Sequence, residues 1–255
     1  MLNLNDNLLQ VINFLEDQSK DNENLKFFEI NENLDDFFKR SGIGVKLEEY
    51  KEIVLKEELG LELGGMEKTS FSLIYPTNEK LDDDRDFIYL LGNETDEVNS
   101  NAIHFGIFIL IQSNNLEDKL FDDLRHFSLI SNSIEGFSTR SIPTRFWCRI
   151  TENVLKKGFS FEILGKAIVY LYKKRFGETL NSIKIFIINS DEELLKLFLK
   201  LISNLKSKIN KHWIDKINDW KKRLDCDYSW TCEICPFLSA CQNIQEILQK
   251  RKEIK

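Results

Sequence analysis

Four of the chain's five cysteines fall within sixteen residues, as Cys226-x5-Cys232-x2-Cys235-Pro236-x4-Cys241. A thiolate is a soft, anionic ligand. A Cys-x2-Cys turn sets two sulfurs on one metal centre, with Cys241 close enough in sequence to supply a third and Cys226 a fourth. The chemistry this spacing favours is a [4Fe-4S] cluster, because Pro236 directly after the second cysteine of the pair matches the Cys-Pro ending of many cluster-binding runs. A four-thiolate zinc site is the rival. Disulfides fit poorly: the start, Met1 to Asp6, has no basic n-region and the fifth cysteine, Cys148, has no obvious partner. No uninterrupted apolar run approaches the roughly 18 to 20 residues of a membrane span. The expectation is a cytoplasmic protein, where thiols stay reduced and cysteine clusters mean metal. Trp230 and Phe237, beside the cysteines, would shield such a centre and set its dielectric.

Other chemically capable residues carry weaker signals. His104, His126 and His212 are scattered, with no second ligand at helical spacing, so each reads as a satisfied or exposed histidine. Asp82-Asp83-Asp84 and Asp122-Asp123 lack the spaced oxygens of a calcium loop and read as a solvated loop and a helix turn. Gly42-x-Gly44 and Gly64-Gly65 are too short for nucleotide loops. No Ser-His-Asp or Cys-His nucleophile pairing can be assembled. The net charge of -7 opposes general nucleic-acid binding, which wants a basic field over the phosphates.

The elements that must position these residues follow from periodicity. With 42% hydrophobic residues, 19 phenylalanines and only 3 prolines in 255 residues, the chain can bury a sizeable core. Leu8 to Asp17 and Leu34 to Lys39 carry apolar residues at helical spacing and read as an N-terminal helical arm. Strand-like runs follow at Leu61 to Leu63, Phe71 to Tyr75, Phe87 to Leu91 and Ile103 to Gln112, the last apolar enough to be covered on both faces. Leu116 to Leu129 reads as a helix and Arg145 to Ile150 as a strand ending at Thr151. Ser160 caps a helix over Phe161 to Phe176 that Gly177 stops. Ile183 to Ile188 is a compact strand. From Asp191 a long helix runs toward the cysteines, with an apolar stripe at Leu201, Leu205, Ile209 and Trp213 and a lysine-rich opposite face that reads as solvated. The fold class expected is α/β (α+β): a mixed sheet with flanking helices. Its parts are a helical arm over 1–45, an α/β domain over 46–200, and a long helix plus four-cysteine metal lobe over 201–255.

Several segments in order resemble the β subunit of the CO dehydrogenase/acetyl-CoA synthase complex. They are Trp147-Cys148-Arg149-Ile150-Thr151, Val154 to Phe159, Ile163-Leu164-Gly165, and the strand Ile183 to Ile188 followed by Asp191-Glu192-Glu193. Upstream, Leu61 to Leu73, Phe87 to Gly92, Ile103 to Ile111 and His126 to Phe137 keep the same order. Downstream, the Cys-x2-Cys pair follows a long charged helix and an aromatic-Ser element, Tyr228-Ser229. The likeness spans roughly residues 55 to 241 and is collinear.

The resemblance implies that Cys232 and Cys235 match the paired ligands of a [4Fe-4S] cube which, in the family, is bridged to a dinickel site making acetyl-CoA. It also implies departures. The third family cysteine lies farther on than Cys241, a Cys-Gly segment is missing, and the nickel-binding Gly-Cys-Gly-Cys region would fall beyond Lys255, as in a truncated subunit. Cys226, which the family pattern does not supply, would close an ordinary cubane suited to electron transfer or stapling. The matching domain of the family is thought to offer arginines to CoA phosphates, which assigns Arg140, Arg145 and Arg149 to a CoA site through their bidentate forks, with surface ion pairing as the alternative. The reading favoured is an iron-sulfur protein of anaerobic one-carbon and acetyl-CoA metabolism, working by electron transfer or docking. Its partners would be a redox protein or other subunits of a CO dehydrogenase/corrinoid-type complex, and neither a membrane nor nucleic acid. Two alternatives stand beside it. One is a CO-methylating acetyl-CoA synthase with nickel ligands supplied elsewhere; the other is a zinc protein or a cluster-stapled nuclease of the RecB type, although no convincing nuclease carboxylate set lies upstream.

Overall fold

The computed structural model describes residues 10–11, 13–14, 25–47, 54–80, 84–98, 102–127, 133–142, 145–189 and 192–224. The chain divides into two compact units, Met1–Asn204 and Leu205–Lys255. Among the described residues no helix is long and apolar enough to cross a membrane.

The first unit holds two sheets. Five strands, β1 (Leu25–Glu29), β3 (Ser70–Thr77), β4 (Phe87–Leu91), β5 (Phe105–Gln112) and β8 (Ser182–Ile188), form a mixed sheet in the order β1-β4-β8-β5-β3. Three more, β2 (Leu59–Gly64), β6 (Phe137–Ile142) and β7 (Arg145–Thr151), form an antiparallel sheet in the order β2-β7-β6. The mixed α/β class expected from sequence is what is found. β5 and β8 are buried at every position, as β-branched and aromatic runs covered on both faces must be. Pro76 sits within β3, where an edge strand tolerates its missing donor.

Two strands escape sequence reading. β1 lies between the two N-terminal helical segments and pairs with β4, Phe27 opposite Tyr89. β6, Phe-Ser-Thr-Arg-Ser-Ile, is too polar to announce itself and takes its identity from β7.

The helices of the described residues follow in chain order. They are α1 (Leu34–Ser41), α2 (Asp118–His126), α3 (Glu152–Lys156), α4 (Phe161–Phe176) and α5 (Glu192–Leu224). The Thr151 side chain accepts from the Val154 N–H to start α3, and Ser160 accepts from the Ile163 N–H to start α4. α4 lies close against β4 because Gly165 faces Ile88: a Cβ there would come within 2.7 Å of the isoleucine side chain. The segment leading into α1 is tied to α4 by Lys166, whose buried ammonium pairs with Glu32 at 2.8 Å as well as with Glu162 of α4 at 2.5 Å.

Candidate functional site

The three-stranded sheet has one buried face and one partly exposed face, on which Ser138 is itself buried and its Oγ accepts from the Val54 N–H at 3.1 Å. Leu61, Leu63, Phe137, Phe146, Cys148 and Ile150 point inward and are buried. Phe146 stacks on Phe105 of β5 at 6.2 Å between centroids, and the Phe146 N–H donates to Ser70 Oγ of β3 at 3.2 Å. This seam joins the small sheet to the large one. Gly64 closes it from the β2 side, at φ 72 with its N–H donating to the Ile103 carbonyl at 2.5 Å; a Cβ there would meet the Phe146 carbonyl oxygen at 2.3 Å.

The period of two then sends the alternate residues outward. Trp147, half-buried, sits at the centre of the open face with Arg140 directly across on β6 and Gly64 directly across on β2. Register therefore places an arginine on one side of Trp147 and a residue with no side chain on the other. Arg149 is next along β7, between Ser138 and Glu62 in register. Its Nε donates to Glu62 Oε2 at 2.6 Å, a charge-assisted bond between half-exposed groups. Ser138, Thr139, Arg140, Trp147 and Arg149 line a cavity of about 110 Å³, room for a single phosphate-sized group beside the exposed surface.

The structure thus brings Arg140 and Arg149 of the sequence-predicted trio around one cavity. Arg145 shares their face at the start of β7, opposite Ile142, but lies four residues from Arg149, roughly 13 Å along a strand. Among the described residues neither Arg140 nor Arg145 makes an ion pair. Two guanidiniums flanking an indole suit a ligand that carries phosphate together with a flat aromatic ring. Glu62 was not singled out from sequence; the one signal for it is a lone carboxylate between Leu61 and Leu63 in a strand-like run.

The predicted metal ligands Cys226, Cys232, Cys235 and Cys241, with Trp230 and Phe237, lie outside the described residues. Among the described residues no group of three or more His, Cys, Asp or Glu side chains could hold a metal ion. Cys148 is fully buried and burial pushes its thiol well above the ordinary range, so it is an inert core residue. His104 is satisfied: its Nδ1 accepts from the Thr69 N–H at 3.0 Å. His126 ends α2 and His212 lies within α5. Of the aspartates, Asp84 accepts from Gln112 Nε2 at 3.2 Å, and Asp122 and Asp123 lie in α2. Gly42 ends α1 at φ 68, and Gly64 and Gly65 make the strand exit, so these glycines serve backbone geometry.

An α/β domain whose small sheet presents an arginine-and-tryptophan face is therefore the class of protein in hand. The chain belongs to the CO dehydrogenase/acetyl-CoA synthase complex beta subunit family, whose model matches residues 45–194, a stretch that contains the whole small sheet. It is similar to acetyl-CoA decarbonylase/synthase complex subunit beta of Methanopyrus kandleri, 29% identical over 153 residues, covering 59% of this chain and 30% of the relative. It is also similar to the protein of the same description from Methanothermobacter thermautotrophicus, 26% identical over 142 residues, covering 55% of this chain and 30% of the relative. The matches span less than a third of those relatives' own length.

Proposed function

We propose that this chain is a CoA-binding, iron-sulfur member of an acetyl-CoA decarbonylase/synthase type assembly, acting in the cytoplasm by electron transfer or by docking to other subunits. The observation that carries the reading is the open face of the small sheet, where Arg140, Trp147 and Arg149 stand together inside the family-matched stretch. On this reading the guanidiniums bind phosphate groups through paired N–H donors and the indole stacks on the adenine ring. The dry inner face behind them keeps the strand from yielding as the ligand seats.

Cys226, Cys232, Cys235 and Cys241 fit a closed [4Fe-4S] centre by donor type and number: four soft thiolates, one per iron. Such a centre, when bound, supplies outer-sphere one-electron transfer. A square-planar nickel site asks for further thiolates and backbone amides from one tight turn, which these four cysteines do not form. Acetyl transfer to CoA would accordingly use nickel ligands from outside this four-cysteine cluster.

Metal and sulfide analysis of anaerobically purified protein, with the electron paramagnetic resonance spectrum of the reduced form, tests the cluster. The expected outcome is about four iron and four acid-labile sulfide per chain, with a reduced-cluster signal and without stoichiometric nickel. Zinc in place of iron would replace the cluster with a structural site, and stoichiometric nickel would favour the synthase reading.

A further inference from the structure

We infer that Glu62 is a positioning residue for the ligand face: it holds the Arg149 guanidinium in one orientation beside Trp147, so that the remaining N–H groups present a fixed fork to an anion. The ligand class rests on the CoA reading above; the ordering of the guanidinium does not.

The two residues are directly opposed on neighbouring antiparallel strands and meet at 2.6 Å through Nε, which leaves both terminal nitrogens of Arg149 outside that bond. β2 is itself clamped at this residue. The Glu62 carbonyl accepts from the Ala102 N–H at 2.6 Å and from the Ile103 N–H at 3.4 Å. Ala102 adopts φ 57 at this clamp, the only non-glycine residue at positive φ among those described, a conformation an alanine takes only where its surroundings enforce it. The Glu62 backbone is therefore fixed from behind, and its carboxylate meets the arginine from that fixed base.

Neither stability nor charge accounts for the pair. Half-exposed ion pairs contribute little to folding, and a carboxylate on the arginine weakens its pull on an anion. What the pair does supply is order. A free arginine loses much rotamer freedom on binding, and one already locked loses less. Arg140 across the cavity is exposed and has no ion pair among the described residues, so Glu62 makes one of the two lining guanidiniums rigid and leaves the other adaptable.

The test uses the full chain with Glu62→Ala and Glu62→Gln, since the glutamine carbonyl still accepts from Nε. Two quantities are read: the Arg149 Nε–H resonance in nitrogen-15 spectra, assigned by its loss in Arg149→Lys, and CoA affinity by equilibrium dialysis, with thermal unfolding as the check on folding. Glu62→Ala is expected to lose the ordered resonance and weaken CoA binding about tenfold, one lost hydrogen-bond's worth of orientation. Glu62→Gln should keep the resonance and bind within about threefold of the natural protein. An unchanged resonance in Glu62→Ala, or tighter CoA binding by both variants as simple charge removal requires, overturns the inference. If the natural protein fails to bind CoA while the resonance is lost in Ala and kept in Gln, the positioning role stands and the CoA reading falls.

Discussion

In the five-stranded sheet the two strands β8 and β5 bury every residue, whereas β7 of the three-stranded sheet alternates half-exposed and buried positions along its whole length. The first arrangement leaves no surface to carry a ligand; any change there is felt as packing. The second separates the tasks by parity. Phe146, Cys148 and Ile150 anchor the strand, and Arg145, Trp147 and Arg149 face outward. Binding groups on a strand whose back is dry are held more firmly than on a loop, and their substitution costs little folding energy.

That contrast can be broken at several points. The largest effect is expected in the large sheet. Phe108, fully buried and packed against Phe186 at 5.6 Å and Phe198 at 5.9 Å, should cost about 3–5 kcal/mol when replaced by alanine, read from urea unfolding. A loss below 1 kcal/mol would mean that this sheet is not the scaffold.

At the seam, Gly64→Ala combines a positive φ with a close approach to the Phe146 carbonyl and should cost about 1–3 kcal/mol. It should also weaken CoA binding, because Gly64 lies beside Trp147; a stability loss with unchanged binding would uncouple the seam from the face.

The smallest effect concerns Glu135 in the turn before β6. Burial raises its carboxyl, but the Lys157 ammonium and the Gly44 N–H outweigh that and hold it below the usual carboxylate range. Its contribution is therefore complete above the ordinary glutamate value of 4.5 and is lost as pH falls through the lower folded value. In stability measured against pH, the difference between the natural protein and Glu135→Gln should be constant, below about 1 kcal/mol, at neutral pH and should shrink only on the acid side. A difference that instead grows on acidification would reverse the sign assigned to this carboxylate.

How much of this was legible in the sequence depended on how local each cause is. The cap at Ser160, the stop at Gly177 and the strand from Arg145 are set by residues within a few positions, and they appear where expected. β1 and β6 depend on partners: Leu25-Lys26-Phe27-Phe28-Glu29 becomes a strand by lying on β4, and β6 by lying on β7. Glu62 is invisible for the same reason, its arginine being 87 residues away. Arg140 and Arg149 were readable as residue types, but their meeting across Trp147 is a fact of register. The cysteine constellation is the reverse case. Its spacing is entirely local, and its four sulfurs belong to the part of the chain beyond the described residues.

The most direct test of the ligand face is equilibrium binding of CoA to the full chain and to the double variant Arg140→Ala/Arg149→Ala, with unfolding curves alongside. The expected loss in affinity is about a hundredfold, two charge-assisted contacts removed, with stability changed by less than about 1 kcal/mol. Equal affinity of the two proteins, or no CoA binding by the natural chain, would contradict it.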